Sequence, residues 1–130
     1  MSAAHRYVVV QQDTASKERL TVMLFETAVK HMRVAAGHLE KKRKSAAMPL
    51  LAKASKIVGH LHATLNRDAA PRMVDELAEL YVFTVARLSR AMVTGIPADV
   101  REAERAFAPI ADGFAQAVAI EAQRAAVPKP

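Results

Sequence analysis

The sequence predicts an all-α protein, an antiparallel up-down four-helix bundle with an extended N-terminal arm. Three observations predict it. Ala, Leu, Val and Met dominate, while the 130 residues include only 4 Gly and no Trp, a composition that favours helices packed on helices over a sheet. Apolar residues recur at spacings of three and four through four long segments, the mark of amphipathic helices. The segments are joined by links of only a few residues, so consecutive helices must turn back on one another.

Residues 1–15 read as a mobile arm: Val8-Val9-Val10 is β-branched and Gln11-Gln12-Asp13 shows no helical period. Thr14-Ala15-Ser16 supplies N-cap candidates and Glu18 places a carboxylate in the following turn, so the first helix is expected from Ser16 to about Lys41. Its apolar arc is too wide for a surface helix. Leu24, Phe25, Ala28, Val29, Met32, Ala35, Ala36 and Leu39 fill one face, and Leu20, Met23 and Val34 extend it, although a stripe of about 100° suffices for one packed face. Either neighbouring helices cover all of that arc, or part of it is a groove for another chain.

The second helix begins between Ser45 and Pro49, since proline is tolerated in a first turn, and carries Leu50, Leu51, Ala54, Ile57, Val58, Leu61 and Leu65 as a buried stripe. A polar link, Asn66-Arg67-Asp68-Ala69-Ala70, leads to Pro71, which opens a third helix with Met73, Val74, Leu77, Leu80, Tyr81, Thr84, Leu88 and Met92 on one face. Thr94-Gly95-Ile96-Pro97 pairs a glycine stop with a proline restart. The fourth helix follows with Val100, Ala103, Phe107, Ile110, Ala111, Phe114 and Val118. Pro109 interrupts that pattern at a cost of about 3 kcal/mol in a straight helix, so a kink or break near Phe107 is expected, with a short extra helix beyond it. The bundle domain then spans residues 16–122, and residues 123–130 form a tail.

One domain of this length buries about two-thirds of its unfolded surface. With no cysteine, disulfide and thiol chemistry are excluded. The N-terminus lacks the pattern of a secretory signal, and no run reaches the roughly 18 apolar residues of a membrane span. The net charge of +6 is unevenly placed: residues 1–70 hold twelve Lys/Arg against five Asp/Glu, and residues 71–130 hold seven against eight. Its densest part is Lys41-Lys42-Arg43-Lys44, at the end of the first helix, where cations favour the negative pole of the helix dipole.

Catalytic and metal-binding constellations are weak, and neither an enzyme nor a cofactor is expected. His31 and His38 are two turns apart, about 10 Å of rise, too far to chelate one ion unaided. His60 and His62 point different ways on a helix. Asp75, Glu76, Glu79, Glu102 and Glu104 lie on solvated faces, without the burial that tunes an acid–base pair. Met23, Met32, Met48, Met73 and Met92 serve either as core filler or as an adaptable binding surface.

Three segments carry a family resemblance. Tyr7 stands before Thr14-Ala15-Ser16; Leu20-Thr21-Val22-Met23-Leu24-Phe25-Glu26-Thr27-Ala28 follows; and Leu65-Asn66 precedes Leu77-Ala78-Glu79-Leu80-Tyr81 and Arg87-Leu88. In order and spacing, over about residues 5–118, these resemble the flagellin export chaperones of the FliS type, with their N-terminal tyrosine, Thr-Ala-Ser helix start, Leu-Met-Leu-Tyr-(Asp/Glu)-x-Ala run and Leu-x-x-Leu-Tyr helix. Phe25 stands where the family has Tyr, Lys17 where it has Pro, Ala70-Pro71 where it has Gly-Gly, and Glu76 where it often has Asn.

The resemblance implies a cytoplasmic chaperone that binds the disordered C-terminal segment of flagellin, prevents premature polymerisation and serves the flagellar type III export apparatus, with components of that apparatus as possible further partners. Tyr7, Leu20, Leu24, Leu61, Leu65, Asn66, Leu77, Leu80 and Tyr81 are the expected client-binding residues, forming one apolar groove from helices 1, 2 and 3. Tyr7 and its arm would cover that groove when it is empty. A monomer or weak homodimer is expected, with no nucleic acid and no membrane insertion. The alternatives are an adaptor for a different secretion client and a basic nucleic-acid-binding bundle working through Lys41 to Lys44, Lys53 and Lys56, whose affinity would fall steeply with salt.

Overall fold

The computed structural model describes residues 3–68 and 70–126, with side chains from Ala15 onward. Four helices account for nearly all of them: α1 (Ala3–Glu40), α2 (Lys44–Ala63), α3 (Pro71–Thr94) and α4 (Pro97–Ala126). α1 packs against α2 and α4, and α3 packs against the same two, so the helices stand at the corners of a square. Cross-contacts fix the directions. From α1 to α4, Phe25 meets Phe114, Arg33 meets Glu104, and Glu40 meets Arg101. Rising numbers on one helix match falling numbers on the other, so the pair is antiparallel. The bundle is all-α and up-down, as the short links require.

Small residues let the helices approach closely. Ala28, Ala35, Ala36, Ala47, Ala54, Ala91 and Ala103 are fully buried beside the large side chains of Met32, Leu51, Val58, Leu88, Val100 and Phe107. An aromatic cluster fills the interior toward one end: Phe107 lies 5.4 Å from Phe25 and 6.1 Å from Tyr81, and Phe25 lies 5.2 Å from Phe114. These centroid distances suit tilted aromatic pairs, each worth about 0.5–1.5 kcal/mol beyond its buried area.

Links and caps follow the sequence closely. Lys42 adopts the left-handed conformation (φ 58°), the Arg43 N–H donates to the His38 carbonyl at 2.8 Å, and the Lys42 N–H donates to that of Leu39 at 3.0 Å. This pair of bonds closes the C-terminus of α1 as glycine usually does. Gly95 closes α3 with φ 67°, its N–H bonded to the Ala91 carbonyl. Asp99, only 6% exposed, accepts a 2.8 Å hydrogen bond from Thr94 and faces Arg90 at 3.6 Å. That side-chain link ties the end of α3 to the first turn of α4, and the sequence reading had not singled Asp99 out.

Three boundaries differ from expectation. α1 is helical from Ala3 rather than from Ser16, because no Gly or Pro precedes the cap signal and a Thr-Ala-Ser sequence is a preference for a start, not a barrier to continuation. Residues 1–2 of the arm and the side chains of residues 3–14, Tyr7 among them, lie outside the described residues. α4 runs unbroken through Pro109 to Ala126, so the break and the short extra helix near Pro109 do not occur. Pro109 is on the exposed face, where water can satisfy the carbonyl that a helical proline leaves without its N–H partner and a helix can relieve the ring clash by opening outward. α2 begins at Lys44, slightly early, which leaves Pro49 inside the helix but again exposed.

Candidate functional site

The wide apolar arc of α1 is only partly covered. Phe25, Ala28, Val29, Met32, Ala35, Ala36 and Leu39 are core, whereas Leu20 is 60% and Met23 55% exposed, and Val34 is also exposed. On the helix Leu20 lies within about 40° of Leu24 and His31, at the edge of the seam with α2, whereas Met23 and Val34 lie about 60–100° away from that pair, toward solvent. A groove runs along the seam, with a volume of about 460 Å³, lined by Leu24 and His31 from α1 and by Lys53, Lys56, Ile57 and His60 from α2. A second groove, of about 380 Å³, lies on the opposite side of α2. Gly59 and His62 line it from α2, and Tyr81, Val82, Val85 and Ala86 from α3. Both volumes fall in the range of about 300–1,000 Å³ typical of ligand sites, and both are open to solvent.

The division follows from the helical period. His60 and His62 are two residues apart, about 200° round the helix, so each enters a different groove. Their positions separate them as possible ligands for one ion, and among the described residues no group of three His, Asp or Glu is placed to hold a metal. The His31 imidazole is held below its ordinary value of 6.5, first by burial and then by the nearby charges of Lys53 and Lys30.

The residues singled out from sequence do not line one groove. Leu24 lies in the α1/α2 groove and Tyr81 in the α2/α3 groove, with Leu20 exposed beyond the first. Leu61 is 6% exposed and belongs to the core, because it sits on the inward side of α2 between the two seams. Leu65 and Leu77 are half-buried and pack on the core. Tyr81 has a double role: it is 3% exposed and its ring contacts Phe107, while its edge forms a groove wall. Asn66 binds its own chain, accepting the Asp68 N–H at 3.1 Å in a side-chain turn. Leu80 is exposed with Met73 and Phe83 on the other flank of α3. That flank faces α4, since Arg87, one turn on, stacks 5.1 Å from the Phe83 ring and pairs with Glu102 at 3.1 Å.

Sequence reasoning missed His31, Lys53, Lys56, Ile57 and His60 as neighbours. Their signal was present: Leu24 and His31 are seven apart, and Lys53, Ile57 and His60 are spaced by four and three, the period of one helical flank. What was missing was the knowledge that these two flanks meet. The methionines divide as well, Met32 being buried, Met48 and Met92 packed on the core, and Met23 and Met73 exposed. Within the basic cluster, Lys44 crosses to the end of α3 and donates to the Val93 carbonyl at 3.1 Å. No described helix is long and apolar enough to cross a membrane.

Two open apolar grooves flanking one helix, with exposed Leu20 at the edge of one and exposed Val82 in the wall of the other, form a surface suited to receiving amphipathic segments of another chain. No curated protein matches the chain closely enough to count as a relative. The family model described as Flagellar protein FliS matches residues 1–121, which takes in nearly all of α1, α2, α3 and α4. With the match spanning both grooves and the bundle that holds them, the chain belongs to the flagellar protein FliS family.

Proposed function

We propose that the protein is a non-enzymatic cytoplasmic export chaperone that binds the disordered C-terminal segment of flagellin, keeps it from polymerising and presents it to the flagellar type III export apparatus. Membership of a chaperone family supports the general role. The observation that carries the client assignment is the uncovered apolar surface on either side of α2, formed by Leu24 and Ile57 on one side and by Tyr81, Val82 and Val85 on the other. A segment that folds as it binds loses about 2–5 kcal/mol to its own ordering, and burial of long apolar stripes offsets that loss. In this reading Leu20, Leu24 and the edge of Tyr81 touch the client, Leu65 and Leu77 support the groove walls, Asn66 shapes the link, Leu61 acts only by holding the core, and Leu80, on the flank facing α4, lies outside both grooves.

Calorimetric titration of the full chain with the C-terminal segment of flagellin, at two salt concentrations and several temperatures, tests the proposal. Binding with a negative heat-capacity change is expected from apolar burial. A folded chain that shows no heat and no complex with this segment would overturn the flagellin assignment and point to a different secretion client.

A further inference from the structure

The two grooves differ in charge although both have apolar floors. The α2/α3 groove is lined by no Lys, Arg, Asp or Glu. The α1/α2 groove has Leu24 and Ile57 on its floor, with Lys53, Lys56, His31 and His60 along its sides, and no carboxylate lines it. Lys53 and Lys56 are exposed, and among the described residues neither takes part in an ion pair. Lys30 adds a third cation close enough to act on His31. The acidic side chains of this part of α1 point elsewhere: Glu26 lies about 160° round the helix from Leu24, and Glu40 is paired with Arg101 at 2.7 Å.

We propose, resting on the client-binding reading above, that the α1/α2 groove takes an acidic amphipathic helix of the client. Apolar side chains of that helix, spaced by three and four, meet Leu24 and Ile57, and Asp or Glu on its flank face Lys53 and Lys56. The α2/α3 groove has no such preference and takes a neutral stripe. Charge thus sets which client helix enters which groove and in which direction it lies, a role electrostatic complementarity fills at many interfaces. The lysines stay at the solvent edge, so each pair adds modestly and two together favour an acidic over a neutral helix by about tenfold at low salt.

The test uses three synthetic amphipathic peptides of equal length and identical apolar face, with the flank occupied by Glu, Gln or Lys, titrated into the full chain at low and high salt. Affinity should fall in the order Glu, Gln, Lys at low salt, and the differences should shrink at high salt. In the Lys53→Gln/Lys56→Gln variant, both positions being exposed, the Glu and Gln peptides should bind alike. Leu24→Asp should weaken the Glu peptide. Equal binding of the Glu and Gln peptides to the unmodified chain, or a Glu preference that survives loss of both lysines, overturns the proposal. So does self-association of the chain that disappears in the double variant, which would give the groove to a second copy. Binding of the flagellin segment is measured separately, so an uncharged preference here leaves the chaperone reading standing.

Discussion

Tyr81 and Phe107 face each other with ring centroids 6.1 Å apart, one on α3 and the other on α4, and the phenol of Tyr81 is thereby drawn into the bundle while its edge still walls a groove. Burial pushes that phenol above its ordinary value of 10, because the phenolate is poorly solvated there. The neutral form is the one the fold favours. Its contribution to stability is therefore fully present below the ordinary value and is lost as pH rises through it toward the folded value. The absorbance titration of the folded chain minus that of Tyr81→Phe should show a phenol ionising above 10. A difference curve centred at or below 10 would contradict the burial.

Core and rim residues should respond oppositely to substitution. Leu61→Ala removes a buried side chain and should cost about 2–5 kcal/mol in chemical denaturation. Leu20→Asp/Leu24→Asp should leave the helical signal intact, because Leu20 is exposed and Leu24 half-buried, and should abolish binding of the flagellin segment. Undiminished affinity in that folded double variant would remove α1 from the binding surface.

His31 offers a local probe of the charged groove. Its imidazole is held down by burial first and by Lys53 and Lys30 second, so Lys53→Gln should move its NMR titration midpoint upward, toward but not up to 6.5. The neutral imidazole is favoured in the fold, so its contribution is complete above that ordinary value and declines as pH falls through it. A midpoint unmoved by loss of Lys53 would show that the lysine does not face His31 in solution.

Lys42 and Gly95 occupy the same left-handed region, one without and one with glycine. An L side chain there costs about 1–2 kcal/mol, partly balanced by the larger unfolded-state entropy of glycine. Lys42→Gly should therefore raise stability by about 0.5–1 kcal/mol and Gly95→Ala should lower it by about 1 kcal/mol. The added methyl at Gly95 would stand 3.5 Å from the Lys44 side chain, an ordinary contact, so backbone strain dominates. Equal melting midpoints for Gly95→Ala and the unmodified chain would refute the strain argument.

The fold was legible in the sequence because its signals are local. Period, Pro71, Pro97 and Gly95 each act within a turn or two, and α3 begins and ends where they say. The start of α1 and the course of α4 were harder, since a cap signal does not forbid helix before it and the effect of Pro109 depends on which face it occupies. The grooves were harder still. A wheel separates the core face from the rest, and the excess on α1 was visible through Leu20, Met23 and Val34. That Leu24 lies beside Ile57 and Lys53, or that Leu61 turns inward between two seams, depends on how helices are rotated against each other. The role of Lys44 at Val93 likewise joins positions far apart in the chain.

α2 is a shared wall, with one groove on each of its flanks. A client whose consecutive helices lie one in each groove straddles it. Once the first helix is seated, the second is held nearby by its own linker at an effective concentration that reaches the millimolar range for a short flexible linker. Two contacts too weak to persist alone then hold together. On the proposed function the same arrangement would make release stepwise: peeling one helix out of one groove would remove the advantage of the other, so an export machine gripping one end of the client would never oppose the whole binding energy at once.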